Sequence, residues 1–138
     1  GDFEKVTGWA PTYYWDMPVD DNGFMALRTA RGQMAWLHVS CTEWKNMFCL
    51  EIYGRTGKLQ IAGVGGSYGG ERLSFYKMLP EMGPPETTIW EYPGEDKSWK
   101  TEFAAFVDSI ENDKPLCGDL EDAYKALAAV GEIYGAKY

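Results

Sequence analysis

The order of apolar and polar residues divides this chain near Pro93, with short alternating segments before it and long helical stripes after it. Residues 4–10, 24–29, 33–42, 47–54 and 58–62 read as strands. Pro11, Arg31-Gly32, the stretch from Glu43 to Asn46, and Arg55-Thr56-Gly57 separate them. Short strands joined by glycine-bearing turns predict an antiparallel meander. Residues 12–22, with Pro18 and three aspartates, read as a long loop. In the tail, Trp99, Phe103, Phe106 and Ile110 recur at the spacing of one helix face, and Pro115 lies beyond their end. Asp96 or Ser98 can cap the start of that helix. Asp119 can cap a second, whose stripe is Leu120, Ala123, Leu127, Val130 and Tyr134.

A hairpin across Glu43 to Asn46 would set Thr42 against Met47 and place Leu37, Val39 and Cys41 opposite Ile52, Leu50 and Phe48. That apolar face is expected to meet the helices. The other face would carry Trp36, His38 and Ser40 opposite Tyr53, Glu51 and Cys49, with His38 and Glu51 close enough to satisfy each other. Aromatic and polar together, it has the composition of a surface that meets another subunit. The register around Arg31-Gly32 stays open, because both faces there are partly apolar. The expected fold class is α+β: a two-layer sandwich, mostly antiparallel sheet with helices on one face and an open face for oligomer contact. Its 138 residues suit one domain. In such a layer, truncating Phe103 or Phe106 would cost about 3–5 kcal/mol.

A formal net charge of −8 argues against a nucleic-acid partner, since phosphate binding needs clustered Lys and Arg. Cys41, Cys49 and Cys117 are odd in number and lack C-x-x-C spacing, which points to reduced thiols and a cytoplasmic location. No apolar stretch approaches the ~18–20 residues of a membrane span. The first residues do not read as a signal peptide.

Motifs of catalysis fare poorly. The run Gly63-Val64-Gly65-Gly66-Ser67-Tyr68-Gly69-Gly70 is not a dinucleotide fingerprint: Tyr68 stands where the third glycine belongs, and no helix pattern follows. It matches G-x-S-x-G by letter, but that elbow needs a histidine later in the chain, and the lone His38 precedes it. The plainer reading is a glycine-rich excursion between strands. His38 cannot build a zinc site without a second ligand at the right spacing. Asp20, Asp21, Glu43 and Glu51 show no pairing that demands acid–base chemistry.

The order of several pieces is informative together. Asp20-Asp21-Asn22 enters a strand, Arg31-Gly32 turns, Ser40 ends a strand, and Glu51-Ile52-Tyr53-Gly54-Arg55-Thr56-Gly57-Lys58-Leu59 follows. Then come Phe103, Phe106, Ile110, Pro115, Asp122-Ala123, Leu127 and Ile133-Tyr134. Across nearly its whole length the chain resembles the C-terminal domain of the Gfo/Idh/MocA oxidoreductases. Trp44-Lys45-Asn46 and the glycine run are similar to a subgroup associated with bacterial surface-sugar gene clusters.

The resemblance implies a substrate-binding and oligomerisation domain of an NAD(P)-dependent enzyme acting on a sugar or sugar-nucleotide. The family's Rossmann domain, its catalytic lysine and its Asp/His pair match no position here. No catalytic, cofactor or metal residue is therefore assigned, and the chain by itself is expected to bind neither NAD nor NADP. One of the two would serve the full-length protein. The resemblance further implies that Trp44 on the loop after the third strand, with Lys45, reaches the substrate pocket, and that the open sheet face carries a homo-oligomer contact. A stand-alone binding or scaffold domain is the rival reading. A GxGxxG-bearing strand–helix unit upstream in the parent gene separates the two.

Overall fold

A computed structural model describes residues 2–81 and 83–135. It contains seven strands, β1 (Phe3–Trp9), β2 (Asn22–Thr29), β3 (Met34–Ser40), β4 (Cys49–Tyr53), β5 (Gly57–Ala62), β6 (Glu71–Lys77) and β7 (Glu86–Tyr92). Two helices follow, α1 (Ser98–Asn112) and α2 (Leu120–Tyr134). The fold class is α+β with antiparallel sheets, as the pattern predicts, but the strands form two sheets: β1-β2-β3 and β4-β5-β6-β7. The chain divides into two compact units. One holds Gly1–Trp44 with Lys114–Tyr138, and the other holds Lys45–Asp113.

In the first unit, Val6 pairs with Leu27 and Leu27 with Ala35, while Phe24 pairs with His38 and Ala26 with Trp36. This register resolves the ambiguity around Arg31-Gly32. The turn closes through Gly32, whose φ of 82° suits glycine, and its amide donates to the Thr29 carbonyl at 2.9 Å. Alternation then puts Val6, Gly8, Met25, Leu27 and Leu37 on one face. Helix α2 lies on that face against β1: a side-chain carbon added at Gly8 would come within 2.8 Å of Ile133 Cδ1. Leu27 is the one buried apolar side chain among the described residues. The opposite face carries Phe24, Trp36, His38 and Ser40, so the alternation read for β3 alone is correct.

Helix α2 begins as expected. The Asp119 carboxylate accepts the Asp122 amide at 3.0 Å, and Glu121 and Asp122 sit in the first turn, where the helix dipole favours acids. Its packing face differs from the predicted stripe. Leu120, Leu127 and Tyr134 are exposed, whereas Gly131 is buried and Ile133 reaches Gly8. The missing side chain at Gly8 makes room for Ile133 on β1, and the long side chains of the predicted stripe stay exposed.

The second unit is a four-stranded meander. Lys58 pairs with Tyr53 and Tyr76, and Leu59 with Ile52 and Phe75; β7 then pairs along β6, Leu73 opposite Trp90. Strands β6 and β7 fall inside the stretch read as β-rich, but charged residues and threonines mask their alternation. Helix α1 forms over the predicted stripe. Asp96 Oδ1 accepts the Ser98 amide at 2.9 Å, although Lys97 is the cap position. Trp99, Phe103, Phe106 and Ile110 are exposed, with Phe103 at 68%. The expected cost of 3–5 kcal/mol for truncating Phe103 or Phe106 is therefore withdrawn, because that cost requires burial.

The expected hairpin across Glu43 to Asn46 does not form. Strand β3 pairs with β2, β4 pairs with β5, and no ladder joins β3 to β4 among the described residues. The Cys41 amide still donates to the Asp21 carbonyl at 2.8 Å, one step past the β2–β3 ladder, and the Thr42 amide then turns to Ser40 Oγ at 2.9 Å. Such side-chain capture of the backbone competes with ladder pairing. No described helix is long and apolar enough to cross a membrane.

Candidate functional site

Where β2 begins and β3 ends, the first unit gathers its densest polar bonding. Asp21 is 2% exposed, and its carboxylate accepts four hydrogen bonds. Tyr13 N–H and Asn22 Nδ2 donate to Oδ1 at 2.9 and 3.0 Å; Tyr14 and Trp15 N–H donate to Oδ2 at 2.8 and 3.0 Å. Burial alone would push this carboxyl up. The Trp15 amide, the Asn22 side chain and the Tyr13 and Tyr14 amides outweigh burial and hold it well below the usual carboxylate range.

Asn22 extends the network. Its Nδ2 also donates to Thr42 Oγ1 at 3.0 Å, so its Oδ1 is left to accept from His38 Nε2 at 3.2 Å. That bond takes a proton on Nε2; Nδ1 lies 3.7 Å from the Glu43 carboxylate, beyond hydrogen-bond distance, and pairs with it only when Nδ1 carries a proton as well. The imidazole stacks on Phe24, ring centres 4.5 Å apart. The expected partnership of His38 with Glu51 is thus replaced by a hydrogen bond with Asn22. The bond to Asn22 and the stack on Phe24 hold the ring in place.

Above this network three rings meet edge to face. Tyr14 lies 5.1 Å from Trp15 and 4.9 Å from Trp44, and Trp15 lies 6.0 Å from Trp44. Trp15 Nε1 donates to the Cys41 carbonyl at 3.1 Å, fixing its ring to the end of β3. The rings remain open to solvent, Trp44 at 69%. Trp44 also has φ 57°, a left-handed conformation rare for a bulky side chain and of the kind that collects at functional positions. Of these residues the sequence reading singled out Trp44; Tyr14, Trp15 and Asp21, which the structure brings together with it, were not assigned to a site. The available signal was the aromatic run Tyr13-Tyr14-Trp15 inside a loop that ends in Asp20-Asp21-Asn22.

Lys45 belongs to the second unit, apart from the ring cluster's unit. There it lines a cavity of about 610 Å³ together with Phe48, Cys49, Tyr68, the glycine run and Arg72. The run is a tight excursion between β5 and β6. Gly63 has φ 78°, and a side chain there would strike the Gly69 and Gly70 carbonyls. Gly65 N–H donates to Glu71 Oε1 at 2.7 Å.

Of the residues assigned to one open face, the structure keeps Trp36, His38 and Ser40 together on the three-stranded sheet and places Glu51 and Tyr53 on the other. Glu51 is engaged within its own sheet by Lys58, Tyr53 and Gln60, while Lys58 sits over the Tyr53 and Tyr76 rings. The Lys58 hydrogen bond, then that of Tyr53, holds the Glu51 carboxyl below its ordinary range, and Glu51 in turn raises Lys58 and Tyr53. Neither protein-family models nor curated proteins match this chain.

Proposed function

We propose that this chain is the substrate-binding and oligomerisation part of an NAD(P)-dependent oxidoreductase acting on a sugar or sugar-nucleotide. The observation that carries the reading is Trp44. The residue singled out for substrate contact stands in a solvent-open cluster with Tyr14 and Trp15, built over a buried carboxylate. Flat aromatic rings suit the apolar C–H face of a sugar ring, and polar groups around a pocket fix orientation. In this reading the nicotinamide cofactor and the catalytic groups belong to a Rossmann domain outside these 138 residues. Three exposed free cysteines fit the reducing cytoplasm.

Titration of the chain with a panel of free hexoses and UDP-sugars, followed by tryptophan fluorescence, tests the proposal. A saturable change is expected with one of them, and Trp44→Ala should weaken it about tenfold, or ~1.4 kcal/mol. Equal affinity in the variant would return the loop to ordinary surface. Micromolar binding of NAD or NADP to this chain would overturn the division of labour.

Self-association belongs to the same proposal. Trp36 is 63% exposed and shares its sheet face with His38 and Ser40, away from the face that α2 covers. Large open aromatic surface marks a contact site, and soluble oligomers most often close by a two-fold axis. Light scattering at tens of micromolar should give a dimer mass or larger, which Trp36→Glu reduces to the monomer. A monomeric wild type would remove this face from the proposal.

A further inference from the structure

We infer that Asp21 is a positioning residue: its carboxylate holds residues 13–15 in the conformation that brings Tyr14 and Trp15 against Trp44, making three rings one preformed ligand platform. The inference rests on the proposed function only for the nature of the ligand, a sugar ring stacked on the platform.

Three successive backbone N–H groups, those of Tyr13, Tyr14 and Trp15, converge on this one side chain. Successive amides pointing into one concavity form a nest for negative charge. Here the chain supplies the anion itself. A carboxylate can serve all four donors because both of its oxygens only accept. An asparagine of the same shape offers one accepting oxygen, and its NH₂ group would face amide donors. The substitution thus keeps the volume and breaks at least one side of the network.

The same residue is tied to both strand ends. Asp21 N–H donates to the Pro11 carbonyl at 3.2 Å, and its carbonyl accepts from Cys41 N–H at 2.8 Å. The Cys41 carbonyl then takes the Trp15 indole at 3.1 Å. Backbone and side chain of Asp21 therefore fix the two loops that carry the rings. Ordering a loop and three aromatic side chains before the ligand arrives removes that entropy cost from binding. Tyr14 is 64% exposed and Trp15 44%, so both keep ring surface available for contact.

Circular dichroism of the coupled Trp15–Trp44 pair reads the platform directly. Wild type should show an exciton couplet that Trp44→Phe removes, and Asp21→Asn should remove it too while the amide signal of the strands persists. Binding of UDP-N-acetylglucosamine, the probe, should weaken about tenfold in Asp21→Asn as preorganisation is lost. A couplet retained in Asp21→Asn overturns the inference. Because that variant could lose the fold, amide hydrogen exchange of the wild type gives an independent reading. Tyr13, Tyr14 and Trp15 N–H should be protected, and exchange at the rate of an open loop would overturn the inference as well. A couplet lost in Asp21→Asn with no sugar bound by wild type sustains the positioning role and overturns the sugar reading instead.

Discussion

Gly8→Ala is expected to cost about 3 kcal/mol, the upper end for overpacking a filled site. The added carbon would strike the Phe24 carbonyl of the paired strand, lie 3.1 Å from Met25 Cα and come within 2.8 Å of Ile133 Cδ1. Two of these neighbours are backbone and cannot rotate away. Relief requires either separating β1 from β2 or lifting α2, and both moves expose the face around Leu27. Urea unfolding followed by circular dichroism measures the loss. Gly70→Ala is the control, since a side chain there meets open space. A Gly8→Ala midpoint equal to that of the control would show that α2 does not rest on β1.

Leu27→Ala should cost a comparable amount, about 3 kcal/mol, within the range for emptying a buried leucine site. Leu27 is 5% exposed in the middle of the central strand, paired with Val6 on one side and Ala35 on the other. Collapse around the vacancy is limited, because both neighbours are held by ladders. Phe103→Ala removes a larger side chain but should change stability by no more than about 0.5 kcal/mol, as an exposed position does. The contrast is measurable in one set of denaturation curves. A larger loss at Phe103 than at Leu27 would reverse the assignment of core and surface.

The first strand, the turn at Gly32, the cap at Asp119 and the presence of both helices were legible in the chain, because each depends on neighbours a few residues away. Alternation correctly placed Trp36, His38 and Ser40 on one face. It failed at the next step, where Leu37 was paired with Ile52. Alternation says which residues share a face of one strand, but not which strand lies beside it. Glu43 to Asn46 has the length of a hairpin connection, but β3 ends at Ser40, where the Thr42 amide turns to Ser40 Oγ, and β4 begins only at Cys49. The helix stripes show the same limit. Leu120, Leu127 and Tyr134 are correctly periodic, but at Gly8 the helix presents Ile133, outside that stripe, and it buries Gly131.

For the candidate site, the residue type at position 44 was readable, and its surroundings were not. Asp16, Asp20 and Asp21 look alike in sequence. Only the folded first unit distinguishes Asp21, at 2% exposure with four donors, from Asp20, which accepts the Tyr134 hydroxyl from the far end of the chain. The sequence by itself determined the α+β class, the presence of two helices and the alternation of β3, since propensity, capping and period act within one or two turns of chain. The tertiary structure decided the split into two sheets, the seat of α2 and the meeting of Tyr14, Trp15 and Trp44. Each of these joins residues far apart in the chain. The contacts compete with many others of similar chemistry, and the winner is set by the summed packing and hydrogen bonding of the unit rather than by any local pattern.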